Sequence, residues 1–180
     1  MHRTGTARRR PGHIIESRPG RGMPPTPSKS AARPDGDGAA RPDLTVLDTQ
    51  VVLDWLVFRD PTTLPLALAI TDGSMRWLAS QPMLAEIEHV LDRGVGAAWA
   101  PDRAAIRDAC ARWAQPTAAA PDSGLHCADP DDQMFIDLAI AARARWLFTR
   151  DRALLRLASR ACAQGVHVMR PADWRPSPER

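Results

Sequence analysis

The chain of 180 residues has no asparagine and no tyrosine, and Lys29 is the single lysine among 24 basic residues. That bias marks a GC-rich coding sequence, so arginine density alone says little about nucleic-acid binding. With no lysine after position 29 and no G-x-x-x-x-G-K-[ST] or G-x-G-x-x-G, a phosphate-binding loop and a dinucleotide fingerprint are both excluded. Cysteine is scarce as well. Cys110, Cys127 and Cys162 are odd in number, widely spaced and free of any C-x-x-C pair, which argues against a disulfide framework or a zinc site. They read as reduced thiols of a cytoplasmic protein. Long apolar runs are missing too: the longest, Leu64 to Ile70, is far too short to cross a bilayer, so no membrane role is expected. Arg8-Arg9-Arg10 is followed by Pro, Gly and His rather than an apolar stretch, and neither a secretory nor a twin-arginine signal fits.

Proline and glycine are plentiful but unevenly spread. Residues 1–43 hold 7 of the 17 prolines and 6 of the 11 glycines, with nine basic and four acidic side chains. Such a segment buries too little apolar surface to offset its ordering entropy, so a disordered basic tail is expected there. The basic pI of about 9.2 belongs to that tail, because the remainder has two more acids than bases. A single folded domain is expected over 44–175, with a short C-terminal tail over 176–180.

From Leu44 onward, strand and helix patterns alternate. Expected strands are Thr45–Asp48, Met75–Ser80 and Trp146–Thr149, with a last one over Val166–Met169 and only a weak strand or loop at Thr117–Ala120. Expected helices are Thr49–Phe58, Pro61–Thr71, Gln81–Arg93 and Asp102–Trp113, then one capped by Asp131 or Asp132, and one over Arg152–Cys162. Trp55, Trp113 and Trp146 fall on core-facing stripes. This β-α order predicts an α/β protein, a three-layer α/β/α arrangement around a central parallel sheet.

Within that frame the acids are the informative residues. Asp48 ends the first strand, Glu86 lies about a turn into the helix after the second, and the Asp129–Asp132 run precedes a helix. Asp151 follows a later strand. Acids so placed lie outside the carboxyl ends of parallel strands, where ligands of such folds bind. Singly, Asp48 and Asp151 read equally as helix caps, Asp131 and Asp132 as turn residues, and Glu86 as a half-exposed helix acid. Jointly they make sense only with a counter-cation, because four convergent carboxylates repel one another. Hard divalent ions such as Mg²⁺ or Mn²⁺ take such oxygen ligands. His89, His126 and His167 show no ligand spacing. Arg143, Arg145, Arg150 and Arg152 surround the last acidic motif and read equally as phosphate contacts or a solvated face.

The motifs VLDTQVVLDWL (Val46–Leu56), SQPMLAEIEHVLDR (Ser80–Arg93), DPDDQMFIDLAIAARARWLFTRD (Asp129–Asp151) and VHVMRPADW (Val166–Trp174) resemble those of the PIN-domain nucleases. The likeness is to the members described as toxins of bacterial toxin–antitoxin systems, and it covers roughly residues 44–175. It implies that Asp48, Glu86, Asp132 and Asp151 form the catalytic, metal-binding set. Thr149 would orient an acid or a water, and Asp131 would be a substitute or supporting acid. It further implies Mg²⁺- or Mn²⁺-dependent hydrolysis of RNA by an activated water, an antitoxin partner and homodimerisation.

Three positions depart from that pattern. Gln50 and Gln133 stand where the family has Asn, and Arg150 where it has a small residue, often Gly. Gln50 motivates an alternative, a PIN fold that has lost cleavage and binds RNA or protein. A haloacid-dehalogenase-like phosphatase is excluded, since position 50 breaks Asp-x-Asp and no downstream lysine exists.

Overall fold

The computed structural model describes residues 41–176. The expected basic tail therefore lies outside the described residues as far as residue 40, as does the C-terminal tail from 177.

The chain opens with β1 (Asp43–Leu47), one residue earlier than the expected domain boundary, and enters α1 (Thr49–Leu56). A 3-10 turn at Pro61–Thr63 leads into α2 (Leu64–Thr71), then β2 (Met75–Ser80), α3 (Gln81–Asp92), α4 (Arg103–Trp113) and β3 (Ala114–Thr117). After a long loop come α5 (Gln133–Ala141), β4 (Trp146–Phe148), α6 (Arg152–Leu155), α7 (Ala158–Cys162) and β5 (His167–Met169). The five strands form one parallel sheet in the order β3-β2-β1-β4-β5. The α/β expectation therefore holds. Helices flank the sheet, which a parallel sheet requires because both of its faces must be covered.

Hydrophobic patterning explains the packing. β1 buries Thr45, Val46 and Leu47 at the sheet centre, and α5 buries Phe135, Ile136, Leu138 and Ala139 against β1 and β4. Trp77, Phe135 and Phe148 are among the largest fully enclosed side chains. Trp55 stacks on Trp113 with ring centroids 5.4 Å apart, at the margin of the same core.

Three expectations need correction. The strand near residue 117 is Ala114–Thr117 rather than Thr117–Ala120. Its sequence AQPT has no apolar alternation, and its proline is tolerated because β3 is a sheet edge paired only with β2. The single helix expected over Arg152–Cys162 is two short ones. Between them Leu157 N–H donates to Leu154 O at 2.9 Å, a tight turn that keeps Leu154, Leu157 and Ala161 buried. Asp132 does precede α5, yet its side chain makes no capping bond there. Other boundaries differ by a residue or two, as helix ends commonly do.

The strand order reverses beside β1: the chain runs outward through β2 and β3, then returns to β4 on the other side. In open parallel sheets that reversal leaves a crevice at the carboxyl ends of the two strands. Leu47 registers with Phe148, and Asp48 N–H donates to Phe148 O at 3.0 Å. Asp48 and Thr149 therefore emerge side by side at the crevice.

Candidate active site

A cleft of about 370 Å³ opens at this point, and Asp48, Glu86, Asp129, Asp131, Asp132 and Asp151 all line it. Leu53, Val90, Val95 and Phe135 supply its apolar walls. Residues far apart in the chain thus meet where the strand order reverses.

Asp48 is the deepest of the acids, only 3 % exposed. It caps α1 through Oδ1, which accepts Val51 N–H at 2.7 Å, while Oδ2 accepts Arg150 N–H at 3.2 Å. Burial pushes its carboxyl up to about 6, against the opposing pull of hydrogen bonds from the Thr149 hydroxyl, Val51 and Arg150. Asp151 caps α6, accepting from Ala153 N–H at 2.5 Å and Leu154 N–H at 3.2 Å. The capping role of both acids is real, and both also face the cleft. Thr149, fully buried, joins them: its hydroxyl oxygen accepts Asp151 N–H at 2.9 Å and the hydroxyl serves Asp48.

Asp132 enters from the acidic turn. Its carboxyl is pushed up to about 7, first by burial, then by the negative charges of Asp151, Asp48 and Asp129, and by a hydrogen bond with Asp151 itself. Asp131 and Asp129 stand on the exposed rim, where Asp131 N–H donates to Asp129 Oδ1 at 3.0 Å. Glu86 is half-buried on α3, and Arg93, a turn or two on, approaches its Oε1 to 3.5 Å. Arg93 is the one cationic side chain lining the cleft among the described residues.

This donor set suits a hard divalent cation: oxygen ligands only, with several negative charges gathered in one cleft. Among the described residues no three candidate ligands close into a ready-made cage. Instead they border an open cleft, as fits an ion that keeps several waters. His89, His126 and His167 do not line the cleft.

The match to the PIN domain family model runs over residues 45–153, which is more than half of the chain and includes all four predicted acids. The chain belongs to the PIN domain family. Comparison with curated proteins and with solved structures finds no match. PIN domains are in general nucleases, and this PIN domain is thereby assigned a nuclease-type function.

The three departures from the family motifs are accommodated in concrete ways. Gln133 ties the acidic loop to its helix: Nε2 donates to Asp137 Oδ1 at 2.8 Å and Leu125 O at 2.9 Å, and Oε1 accepts Cys127 N–H at 2.8 Å. Gln50 reaches Asp54 Oδ1 at 3.0 Å, the same four-residue step along a helix. Sequence reasoning passed over Asp54 and Asp137 entirely. Their signal was the Gln-x-x-x-Asp spacing, which occurs at both departures. Arg145, by contrast, pairs with Asp43 at the opposite end of the strands and does not border the acids.

Proposed function

We propose that this PIN domain is a metal-dependent ribonuclease that hydrolyses RNA phosphodiester bonds with an activated water. The observation that carries the reading is the meeting of Asp48, Glu86, Asp132 and Asp151 in one cleft. Asp48, Asp132 and Asp151 would hold Mg²⁺ or Mn²⁺, with Glu86 facing them from α3. A divalent ion bound there supplies a water of lowered pKa and neutralises phosphate charge during in-line attack. The protein's part is to orient the carboxylates: backbone N–H groups pin both oxygens of Asp48 and one of Asp151, and Thr149 spaces the pair. Arg93 stands ready to pair with substrate phosphate, since its contact with Glu86 is long and half exposed. No covalent enzyme intermediate is required.

The same resemblance supports a role as the toxin of a toxin–antitoxin pair acting in the cytoplasm, with a cognate antitoxin protein and a homodimer as partners. Among the described residues no helix is long and apolar enough to cross a membrane. The alternative is a PIN fold that binds RNA or protein without cleaving it. Its support is Gln50, whose amide is drawn away to Asp54 instead of bracing the acids.

The test is cleavage of labelled single-stranded RNA with Mn²⁺ or Mg²⁺, comparing wild type with Asp132→Asn, with and without EDTA. Cleavage that needs metal and is lost in the variant is the expected result. Wild type and variant equally inert on several RNAs, with no metal binding, would leave only the binding-module reading.

A further inference from the structure

Two of the three departures from the family motifs, Gln50 and Arg150, converge on one buried carboxylate. Asp54 sits in α1 and is 3 % exposed. Its Oδ1 takes the hydrogen bond from Gln50, and its Oδ2 lies 2.8 Å from Arg150 Nε. That second contact is an ion pair without hydrogen-bond alignment, so its attraction is coulombic. The same guanidinium also reaches the start of the Pro61–Thr63 turn. Arg150 Nη2 donates to Asp60 Oδ2 at 2.5 Å and to Thr62 Oγ1 at 3.2 Å.

Those anchors are themselves fixed. Asp60 accepts from the Thr62 N–H at 2.8 Å and the Thr62 hydroxyl at 2.7 Å, and its own N–H donates to Asp54 O at 2.8 Å. Hydrogen bonds from Thr62 and then from Arg150 hold Asp60 down to about 2, so it remains an anion at any working pH. Arg150 is thus gripped by α1 and by the turn after it, while its backbone N–H points the other way, onto Asp48 Oδ2. Asp48 joins the same two elements from the cleft side, accepting Val51 N–H of α1 and Arg150 N–H of the β4–α6 connection. A small residue at position 150 would leave that connection without these anchors.

We propose that Arg150 is a positioning residue: clamped by Asp54 and Asp60, its side chain aims its own backbone N–H at Asp48, and Gln50 holds Asp54 in place for the clamp. Two positions that look like losses in the sequence then form one compensating device. The kinetic half of the test rests on the whole ribonuclease reading, the metal-binding half only on a divalent ion being held at Asp48.

The experiment measures Mn²⁺ affinity by calorimetry, and kcat and KM on single-stranded RNA, for wild type, Arg150→Ala, Arg150→Lys and Arg145→Ala. Arg145 is the control, an exposed arginine with one carboxylate partner at the far end of the same strand. Arg150→Ala should weaken Mn²⁺ binding about tenfold or more and lower kcat by a similar factor, with KM within about threefold, as expected when a ligand loses its supporting partner. Arg150→Lys keeps the charge but not the planar fork and should not restore either value. Arg145→Ala should match wild type. Adding Asp54→Asn to Arg150→Ala should cost nothing further, because both act through one backbone group. Should Arg150→Ala fail to fold in a thermal melt, Arg150→Gln serves in its place. Mn²⁺ affinity equal to that of Arg145→Ala, or a loss confined to KM, overturns the proposal. If wild type cleaves no RNA, the Mn²⁺ isotherms still decide it.

Discussion

At the amino end of the paired strands β1 and β4, Asp43 meets Arg145 at 2.9 Å, and the guanidinium lies over the Trp146 ring at 5.0 Å. At the carboxyl end of the same strands, Asp48 faces Asp132 and Asp151, and like charges are driven together. The first end is neutral in sum, half exposed and braced by aromatic rings, with Trp146, His167 and Trp174 in contact. The second sets a buried Asp48 and the half-buried Asp132 and Asp151 against one another. An isolated exposed ion pair contributes little to stability, whereas carboxyls held above their ordinary range work against the fold when they ionise. The difference separates an end arranged for packing from an end where like charges stand together.

Replacing Asp48 should break this contrast most strongly. Asp48→Asn retains a capping side chain but removes the buried charge, so cleavage should fall about a hundredfold or more, the usual scale when reacting groups lose their placement. Stability should move the other way. Between pH of about 4 and about 6–7 the folded chain keeps protons on Asp48 and Asp132 that the unfolded chain has released. The metal-free protein should therefore lose stability as pH rises through that window, and Mn²⁺ should restore it at pH 8. In thermal melts Asp48→Asn should flatten the pH dependence, and without metal at pH 8 it should gain about 1–3 kcal/mol over wild type. A wild-type melting curve that rises steadily from pH 5 to pH 8 without metal would contradict this assignment of tension.

A smaller effect is expected from Gln133→Ala, which unties the acidic loop without touching an acid. Three hydrogen bonds disappear, leaving Cys127 N–H and buried Asp137 with fewer partners. Denaturant unfolding should show a loss of about 1–3 kcal/mol. Activity should fall by less than for Asp48→Asn, because the four acids of the cleft remain. Smallest of all is Arg145→Ala at the neutral end. Stability should change by no more than about 1 kcal/mol and RNA cleavage not at all. A large change in cleavage there would erase the distinction between the two ends.

Much of the architecture was legible because it depends on local pattern. β2 spans Met75–Ser80 as its apolar run and flanking residues predict, and the repeated β-α order leads to the parallel sheet. The four acids were legible as well, since each sits beside a strand end or on the first turns of a helix. β3 was not, because four residues with a proline and no alternation carry no strand signal; pairing with β2 makes that segment a strand. The break between α6 and α7 escaped for a similar reason. Leu154, Leu157 and Ala161 suit one continuous stripe, and only the packing chooses the turn.

The departures at Gln50, Gln133 and Arg150 show the same limit more sharply. Read along the chain they look like defects in a motif. In the fold Gln50 and Arg150 share Asp54, although Arg150 and Asp54 lie on elements joined only by the sheet.

The order of elements, the apolar stripes that bury them and the identity of the acids follow from the sequence by itself, because periodicity and residue chemistry act over a few neighbours. Tertiary structure alone decided that β1 and β4 would be adjacent, that Asp132 and Asp151 would line one cleft, and that Arg150 would reach back to Asp54. Such contacts need the sheet to close first, and no local pattern encodes a distance across it.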